Sequence, residues 1–250
     1  MIPLRDRLPT RTTPVVNYVL LGLNVLAFLW QVASQEVGYV RLTLDWGFVP
    51  ARFLADPIVQ VLTIFTAMFL HGGWLHIGGN MLFLWVFGDN VEDAIGHVRY
   101  VLFYFAGGLL AALAQLAVDP SSTIPMVGAS GAIAAVLAGY VSLYPRARVL
   151  VLMPIFVIFL FFEFPAWLVM LEWFALNLLQ GLTAFAGGGQ HGGVAWFAHI
   201  GGFLAGLILI RIGMIGRQRI DYEPWRGWRA PPRRRQPRVT YRGRGGTWRY

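Results

Sequence analysis

Ten polar or charged residues interrupt the long apolar stretches of this sequence, and they are the first candidates for chemistry. Such side chains are costly inside a membrane-spanning segment, so those that are present usually serve a function. They are Asn24, His71, His76, Asn80, Asp89, Glu92, Ser130, Glu172, Asn177 and His199. A serine with a histidine base and nearby polar donors is the minimum set for acyl transfer.

Ser130 lies between small residues, in the sequence GASG at 128–131, at the start of a predicted helix. Small neighbours leave its hydroxyl accessible, and a backbone N–H at a helix N-terminus can stabilise an oxyanion. The alternative interpretation is plain helix packing, because small residues four apart are ordinary at membrane helix interfaces.

His199 shares one face of its predicted helix with Gly202 and Gly206. Glycines on a membrane helix let another helix approach closely. The alternative for a lone histidine is a structural ring that is satisfied by a backbone carbonyl.

His76 and Asn80 are four residues apart and therefore share a helix face. His71 lies at a different angle, and no glutamate completes a zinc motif of the H-E-x-x-H type. The sequence has no cysteine and therefore no thiolate ligand. We expect no metal ion and no other cofactor.

The composition indicates that membrane-spanning helices position these residues. The chain has 250 residues, of which 57% are hydrophobic and 13% charged, whereas soluble domains carry about 25% charged residues. These values exclude a disordered chain and a coiled coil, and the absence of cysteine excludes a disulfide-stapled secreted domain. A span needs about 20 mostly apolar residues. The expected fold class is all-α and polytopic, a bundle of six transmembrane helices at 15–33, 73–88, 98–118, 130–144, 165–182 and 194–212.

The arginines predict how these spans are oriented. All 20 basic residues are arginine, and with the N-terminus inside, only Arg41 and Arg52 fall in outer loops. This distribution follows the positive-inside rule. The second, fourth and sixth spans then start on the outer side, which brings His76, Ser130 and His199 to a similar depth. Unrelated packing residues would not be expected to share one layer on three helices.

The segment 149–164 is apolar but ambiguous. A seventh span there would place the arginine-rich C-terminus outside, so we interpret this segment as interfacial or packed against the bundle. The chain then divides into a short cytoplasmic segment (1–14), the six-span membrane domain (15–212) and an arginine-rich cytoplasmic tail (213–250), which its composition predicts to be disordered.

Eleven arginines lie in the tail between Arg217 and Arg249. One interpretation is nucleic-acid binding, because arginine with tryptophan and tyrosine can hold RNA. We favour a tail that contacts anionic lipids, because the rest of the chain is membrane-embedded. No specific nucleic-acid partner is expected.

Three motifs occur in order with predicted spans between them: HGGWLHIGGN at 71–80, GASG at 128–131 and AHIGGFLAG at 198–206. Taken together, they resemble the motifs of the rhomboid intramembrane serine proteases, and the resemblance covers about residues 15–212. Each motif alone is a weak signal, whereas the ordered set is a strong one.

The resemblance implies a role for each matching residue. It implies that Ser130 is the nucleophile and His199 the general base, in a dyad without an aspartate. It implies that His76 and Asn80 stabilise the oxyanion together with the Ser130 N–H. It also implies structural roles for His71, Glu92, Gly128, Gly131, Gly202 and Gly206.

The sequence departs from the family pattern beside the nucleophile. Some members carry an aromatic residue four positions after the nucleophile that stacks on the base, whereas this chain has Ala134. The base must then be oriented by other packing. Glu172, in the fifth span, matches no family motif.

The expected function is intramembrane serine endopeptidase, acting in the lipid bilayer on transmembrane segments of other proteins. The alternative is a non-catalytic relative that binds transmembrane helices; loss of the serine or histidine would mark it, and both are present. A transporter or channel would place polar residues through the whole membrane depth, whereas here most cluster toward the outer side. We expect a multi-pass protein of a bacterial inner membrane, with both termini cytoplasmic.

Overall fold

The computed structural model describes residues 1–186, 195–217, 241–243 and 246–248. The helices in these ranges are α1 (Val15–Ala33), α2 (Gln35–Trp46), α3 (Pro50–Ala55), α4 (Pro57–Thr66), α5 (Trp74–Ile95), α6 (His97–Val118), α7 (Ser130–Leu143), α8 (Ala166–Ala186) and α9 (Trp196–Gly213). The strands are β1 (Ile2–Asp6), β2 (Arg148–Ile155), β3 (Ile158–Pro165), β4 (Tyr241–Gly243) and β5 (Gly246–Trp248).

The protein is a mostly helical, multi-pass membrane bundle. Of the described helices, α1, α6, α8 and α9 are each long and apolar enough to cross a membrane. Helices α4 and α5 meet at a bend of 82° and would count as a fifth span if the pair acts as one. Helix α7 coincides with the predicted fourth span but has only 14 residues. The count of six spans therefore stays a prediction.

Helix α7 is the centre of the bundle. Every side chain from Ala132 to Tyr140 is buried, as expected for a helix that is apolar on all sides. Helices α5, α6 and α9 pack around it. The first residue of this central helix is Ser130, so the bundle core fixes its position.

Glycines bring α9 against α7. A Cβ placed on Gly202 would lie 2.2 Å from the carbonyl oxygen of Gly131, and one on Gly206 would lie 2.4 Å from that of Ala135. Real Cβ atoms do not approach this closely, so the two backbones touch only because these positions are glycine. This contact sets the separation of the helices that carry the candidate serine and histidine.

The segment 149–164 is a β-hairpin, and its base packs against the bundle. Strand β2 pairs antiparallel with β3 on one edge and with β1 on the other. Val149 and Val151 are fully buried in the bundle core, whereas Phe156 at the tip is 99% exposed. The sheet is a small β element that the all-α expectation did not include, although most of the described chain is helical.

The division of the chain into a cytoplasmic segment (1–14), a six-span membrane domain (15–212) and a cytoplasmic tail (213–250) stays a prediction. The segment 1–14 contains β1, which joins the sheet. Most of the tail 213–250, predicted to be disordered, lies outside the described residues. Within it, Tyr241–Gly243 pairs with Gly246–Trp248.

Asp6 lies where the sheet meets the bundle. Its Oδ2 accepts hydrogen bonds from Tyr140 Oη at 2.5 Å and from Asn90 Nδ2 at 3.1 Å. Burial raises the pKa of Asp6 to about 7; the Tyr140 hydrogen bond opposes the rise, and the nearby Asp89 adds to it. The carboxyl group is therefore protonated in the folded state at a pH where the unfolded chain has lost the proton.

We expect the free energy of unfolding to fall as the pH rises from about 4 to about 7, because an unfolded aspartate has a pKa of about 3.9. Over that interval each pH unit costs up to about 1.4 kcal/mol from this one group. Asp6→Asn should flatten the slope, measured by thermal unfolding in detergent across this pH range. Asp45→Asn, at an exposed carboxylate in α2, serves as the control. An unchanged slope in Asp6→Asn would contradict the assignment.

Candidate active site

Ser130 and His199 lie within hydrogen-bonding distance of each other. Ser130 Oγ is 2.7 Å from His199 Nε2. Ser130 is the first residue of α7, and His199 is the fourth residue of α9. The structure thus brings together the two side chains that the sequence predicted as nucleophile and base.

The other ring nitrogen of His199 contacts α8. His199 Nδ1 is 2.6 Å from Asn177 Oδ1, and Asn177 Nδ2 donates to the Trp173 carbonyl at 2.8 Å. Because the amide nitrogen is bonded to that carbonyl, the amide oxygen faces the imidazole and can only accept. Nδ1 therefore carries the proton, and Nε2 presents its lone pair to the Ser130 hydroxyl.

Two tryptophan rings flank the His199 imidazole. The Trp173 ring centroid lies 5.9 Å away at a tilt of 45°, and the Trp196 ring lies 6.0 Å away edge-on. Ala134, at the position where some members of the resembled family carry an aromatic residue, is fully buried. Packing from α8 and α9 therefore replaces the missing aromatic ring.

His76 and Asn80, both on α5, converge on Gly128. A Cβ at Gly128 would lie 2.7 Å from His76 Nε2 and 3.5 Å from Asn80 Nδ2, and Gly128 has a φ of +121°. Only glycine readily combines this backbone conformation with such close neighbours. The two side-chain nitrogens therefore lie beside Gly128, which precedes Ser130 by two residues.

Both nitrogens are available as donors. The Gly72 N–H donates to His76 Nδ1 at 3.2 Å, so the proton of the neutral ring is on Nε2. Asn80 Nδ2 is buried and has no hydrogen-bond partner among the described residues. An unpartnered buried donor calls for an explanation, and a developing oxyanion is one.

A cavity of about 610 Å³ opens over the serine–histidine pair. Its size is within the usual range for ligand pockets. Its polar lining includes Ser130, His199, His76, Asn80 and Asn177. All the candidate acyl-transfer groups therefore border one space.

His71 lies behind the site and links it to the first helices. Its N–H donates to Gln31 Oε1 at 2.9 Å, and its carbonyl accepts from Tyr39 Oη. Its ring lies edge-on to that of His76, with centroids 5.2 Å apart. These contacts connect the segment before α5 to α1 and α2, and the structural role that the resemblance implied for His71 stays a prediction.

Glu92 joins α5 to the start of α1. Its carboxylate accepts the N–H groups of Val16 at 2.9 Å and Asn17 at 2.7 Å, and it lies 2.5 Å from His97 Nδ1. The first N–H groups of a helix have no intrahelical partner, so Glu92 caps α1 from a neighbouring helix.

Gly131 lets α7 pack closely against α6, since a Cβ there would lie 2.6 Å from that of Ala111.

Glu172, which matches no motif, contacts the N-terminus. Its carboxylate accepts a hydrogen bond from the Met1 amine at 3.0 Å.

Within the described ranges, no group of three or more histidine, aspartate or glutamate side chains lies close enough to hold a metal ion.

Comparisons with known proteins give the family. A model of the rhomboid domain matches residues 59–215. "Rhomboid protein 1, mitochondrial" of Saccharomyces cerevisiae is 28% identical over 202 residues, which are 76% of this chain and 51% of that protein. "Presenilin-associated rhomboid-like protein, mitochondrial" of Mus musculus is 27% identical over 203 residues, 78% of this chain and 47% of that protein. "Rhomboid-related protein 2" of Mus musculus is 31% identical over 129 residues, 51% of this chain and 42% of that protein.

The chain spans about half the length of the curated relatives it matches. The matched domain includes all three motifs and, apart from the first two residues of α4, every helix that lines the cavity. Since the domain model covers more than half of the residues, the chain belongs to the rhomboid family.

Proposed function

We propose that this chain is an intramembrane serine endopeptidase that cleaves transmembrane segments of other membrane proteins. The observation that carries the proposal is the 2.7 Å contact between Ser130 Oγ and His199 Nε2. A serine hydroxyl is a weak nucleophile and needs an adjacent base. A relative that only binds transmembrane helices has no need of this pair, so the contact favours the peptidase.

In the proposed reaction, Ser130 Oγ attacks a substrate peptide carbonyl while its proton moves to His199 Nε2. The resulting imidazolium returns this proton to the leaving amine, which releases one product and leaves an ester on Ser130. Water, deprotonated by His199, then hydrolyses the ester and restores both side chains. The cavity over the pair provides room for that water.

In the proposed reaction, three N–H groups stabilise the oxyanion. The backbone N–H of Ser130 is at the start of α7 and has no intrahelical acceptor. His76 Nε2–H and Asn80 Nδ2–H approach from α5 and both border the space left by the missing side chain of Gly128. Donors that are already in place before charge develops usually give the largest single contribution to such catalysis.

The substrate must unwind locally before it is cut. A peptide bond within a transmembrane helix is shielded, because its carbonyl and N–H are used in the helical hydrogen-bond ladder. The proposed substrates are therefore segments that can extend into the cavity over Ser130.

Orientation and location are also proposals. The arginine distribution supports placing both termini on the inner side, with the tail 213–250 against anionic lipids. The yeast and mouse relatives that are named mitochondrial give no support to the expected bacterial inner membrane, which stays a prediction.

The test compares purified wild-type protein with Ser130→Ala in detergent, using a reporter that contains a transmembrane segment. We expect cleavage by the wild type and none by the variant. A fluorophosphonate probe should label the wild type and leave Ser130→Ala unlabelled. Equal cleavage by both proteins would refute the assignment of Ser130 as nucleophile.

A further inference from the structure

We infer that Asn177 is the positioning residue for the general base: it holds the His199 imidazole in the tautomer and orientation that accept the serine proton. The inference rests on the proposed peptidase function. Asn177 belongs to a different helix from either member of the dyad and does not touch Ser130 in any hydrogen bond given by the structure.

The contact between Asn177 and His199 is short and buried. Oδ1 of the amide lies 2.6 Å from Nδ1 of the imidazole, and Asn177 is 7% exposed. A polar side chain buried on a membrane helix is costly unless it is bonded. Both polar atoms of Asn177 are bonded, so its hydrogen bonds to Trp173 and His199 offset the cost of burying the amide.

The orientation of the Asn177 amide is fixed within its own helix. Its Nδ2 donates to the carbonyl oxygen of Trp173, one turn earlier in α8, at 2.8 Å. Rotating the amide by 180° would place Oδ1 against that carbonyl oxygen and lose the bond. The amide oxygen therefore stays directed at His199, and the indole of the same Trp173 packs near the imidazole ring.

This arrangement determines which nitrogen of His199 is basic. A fixed acceptor at Nδ1 keeps the ring proton there, so the lone pair of Nε2 remains directed at the Ser130 hydroxyl. During attack the proton moves from Oγ to Nε2, and Asn177 neither gains nor loses one. The Nδ1–H bond to Asn177 becomes charge-assisted as the imidazolium forms, and such bonds are stronger than neutral ones.

A purely structural role for Asn177 makes a different prediction. If the residue only joined α8 to α9, any substitution that weakened that packing would act through stability. A buried carboxylate would then be worse than an apolar side chain, because an unpaired charge is costlier to bury. A positioning role predicts the reverse order of activity, since an aspartate keeps an oxygen acceptor for Nδ1–H, although its second oxygen gives up the bond to the Trp173 carbonyl.

The experiment measures kcat and KM for reporter cleavage by the wild type, Asn177→Leu and Asn177→Asp. We expect Asn177→Leu to lower kcat about 10- to 100-fold, because one hydrogen bond to a charged group is lost in the transition state. KM should change by less than about 3-fold, since both polar atoms of the amide are already bonded to Trp173 and His199 and are not free to bind the substrate. Asn177→Asp should retain more activity than Asn177→Leu.

The matched control is Gln180→Leu, the same amide-to-aliphatic change at an exposed position of α8, and it should cleave like the wild type. Thermal unfolding of each variant reports whether it is folded. A folded Asn177→Leu with wild-type kcat, or an Asn177→Asp less active than Asn177→Leu, would overturn the inference while the peptidase function stands. A wild type that neither cleaves nor reacts with the fluorophosphonate would overturn both.

Discussion

His199→Ala is expected to lower cleavage about as far as Ser130→Ala does, and the double variant should be no less active than either single one. The two side chains act as a unit, because Oγ is nucleophilic only when Nε2, 2.7 Å away, takes its proton. Residues that act together in this way show losses on the order of 10⁴- to 10⁶-fold in kcat that do not add. The measurement is kcat/KM for the reporter with both single variants and the double variant.

Ser142→Ala provides the matched control for this series. It removes a hydroxyl from the same helix, at its far end, where Oγ donates to the Ala138 carbonyl. This variant should retain wild-type cleavage. If the losses from Ser130→Ala and His199→Ala instead multiplied in the double variant, the two residues would act independently, and the dyad would be wrong.

Gly206→Ala is expected to lower kcat/KM at least about 100-fold, although residue 206 lies two turns from the reacting atoms. The new methyl group would lie 2.4 Å from the carbonyl oxygen of Ala135 and 2.6 Å from its Cα. Both are backbone atoms, so the two helices must separate. A displacement of about 1 Å between reacting groups is enough to cost about 100-fold in rate.

The comparison for this variant is Gly78→Ala on α5. A Cβ at Gly78 meets nothing within 4 Å, so this variant should cleave normally, with stability equal to or above that of the wild type. Kinetics and thermal unfolding of both variants separate a displaced site from a global loss of structure. A folded Gly206→Ala with normal kcat/KM would show that the contact between α7 and α9 does not position the dyad.

The helices of the bundle were largely predictable because each is a long apolar run. The predicted start of the fourth span, residue 130, coincides with the first residue of α7. The hairpin at 149–164 was not predictable as such, because a continuous apolar run has no period that separates a strand from a buried helix. Strand β1 was missed for another reason: its five residues show no regular alternation and form a strand only by pairing with β2.

The residues of the candidate site were likewise predictable only in part. Ser130 and His199 were found because a hydroxyl and an imidazole stand out among small and apolar neighbours, and their predicted depths agree. Asn177 was visible as a polar residue in the fifth span, but its partner depends on how α8 packs against α9. Nothing in the spacing of residues 177 and 199 specifies a contact between them, so its geometry had to come from the structure.

The hairpin has a consequence for handling the protein outside a membrane. Strand β3 is paired on one side only within the described sheet, and Phe159 and Phe161 on it are about 60% exposed. An open, apolar strand edge is a template for intermolecular β-pairing. A detergent that leaves the edge of β3 uncovered therefore promotes edge-to-edge aggregation. The protein stays monodisperse only in an amphiphile that covers this edge.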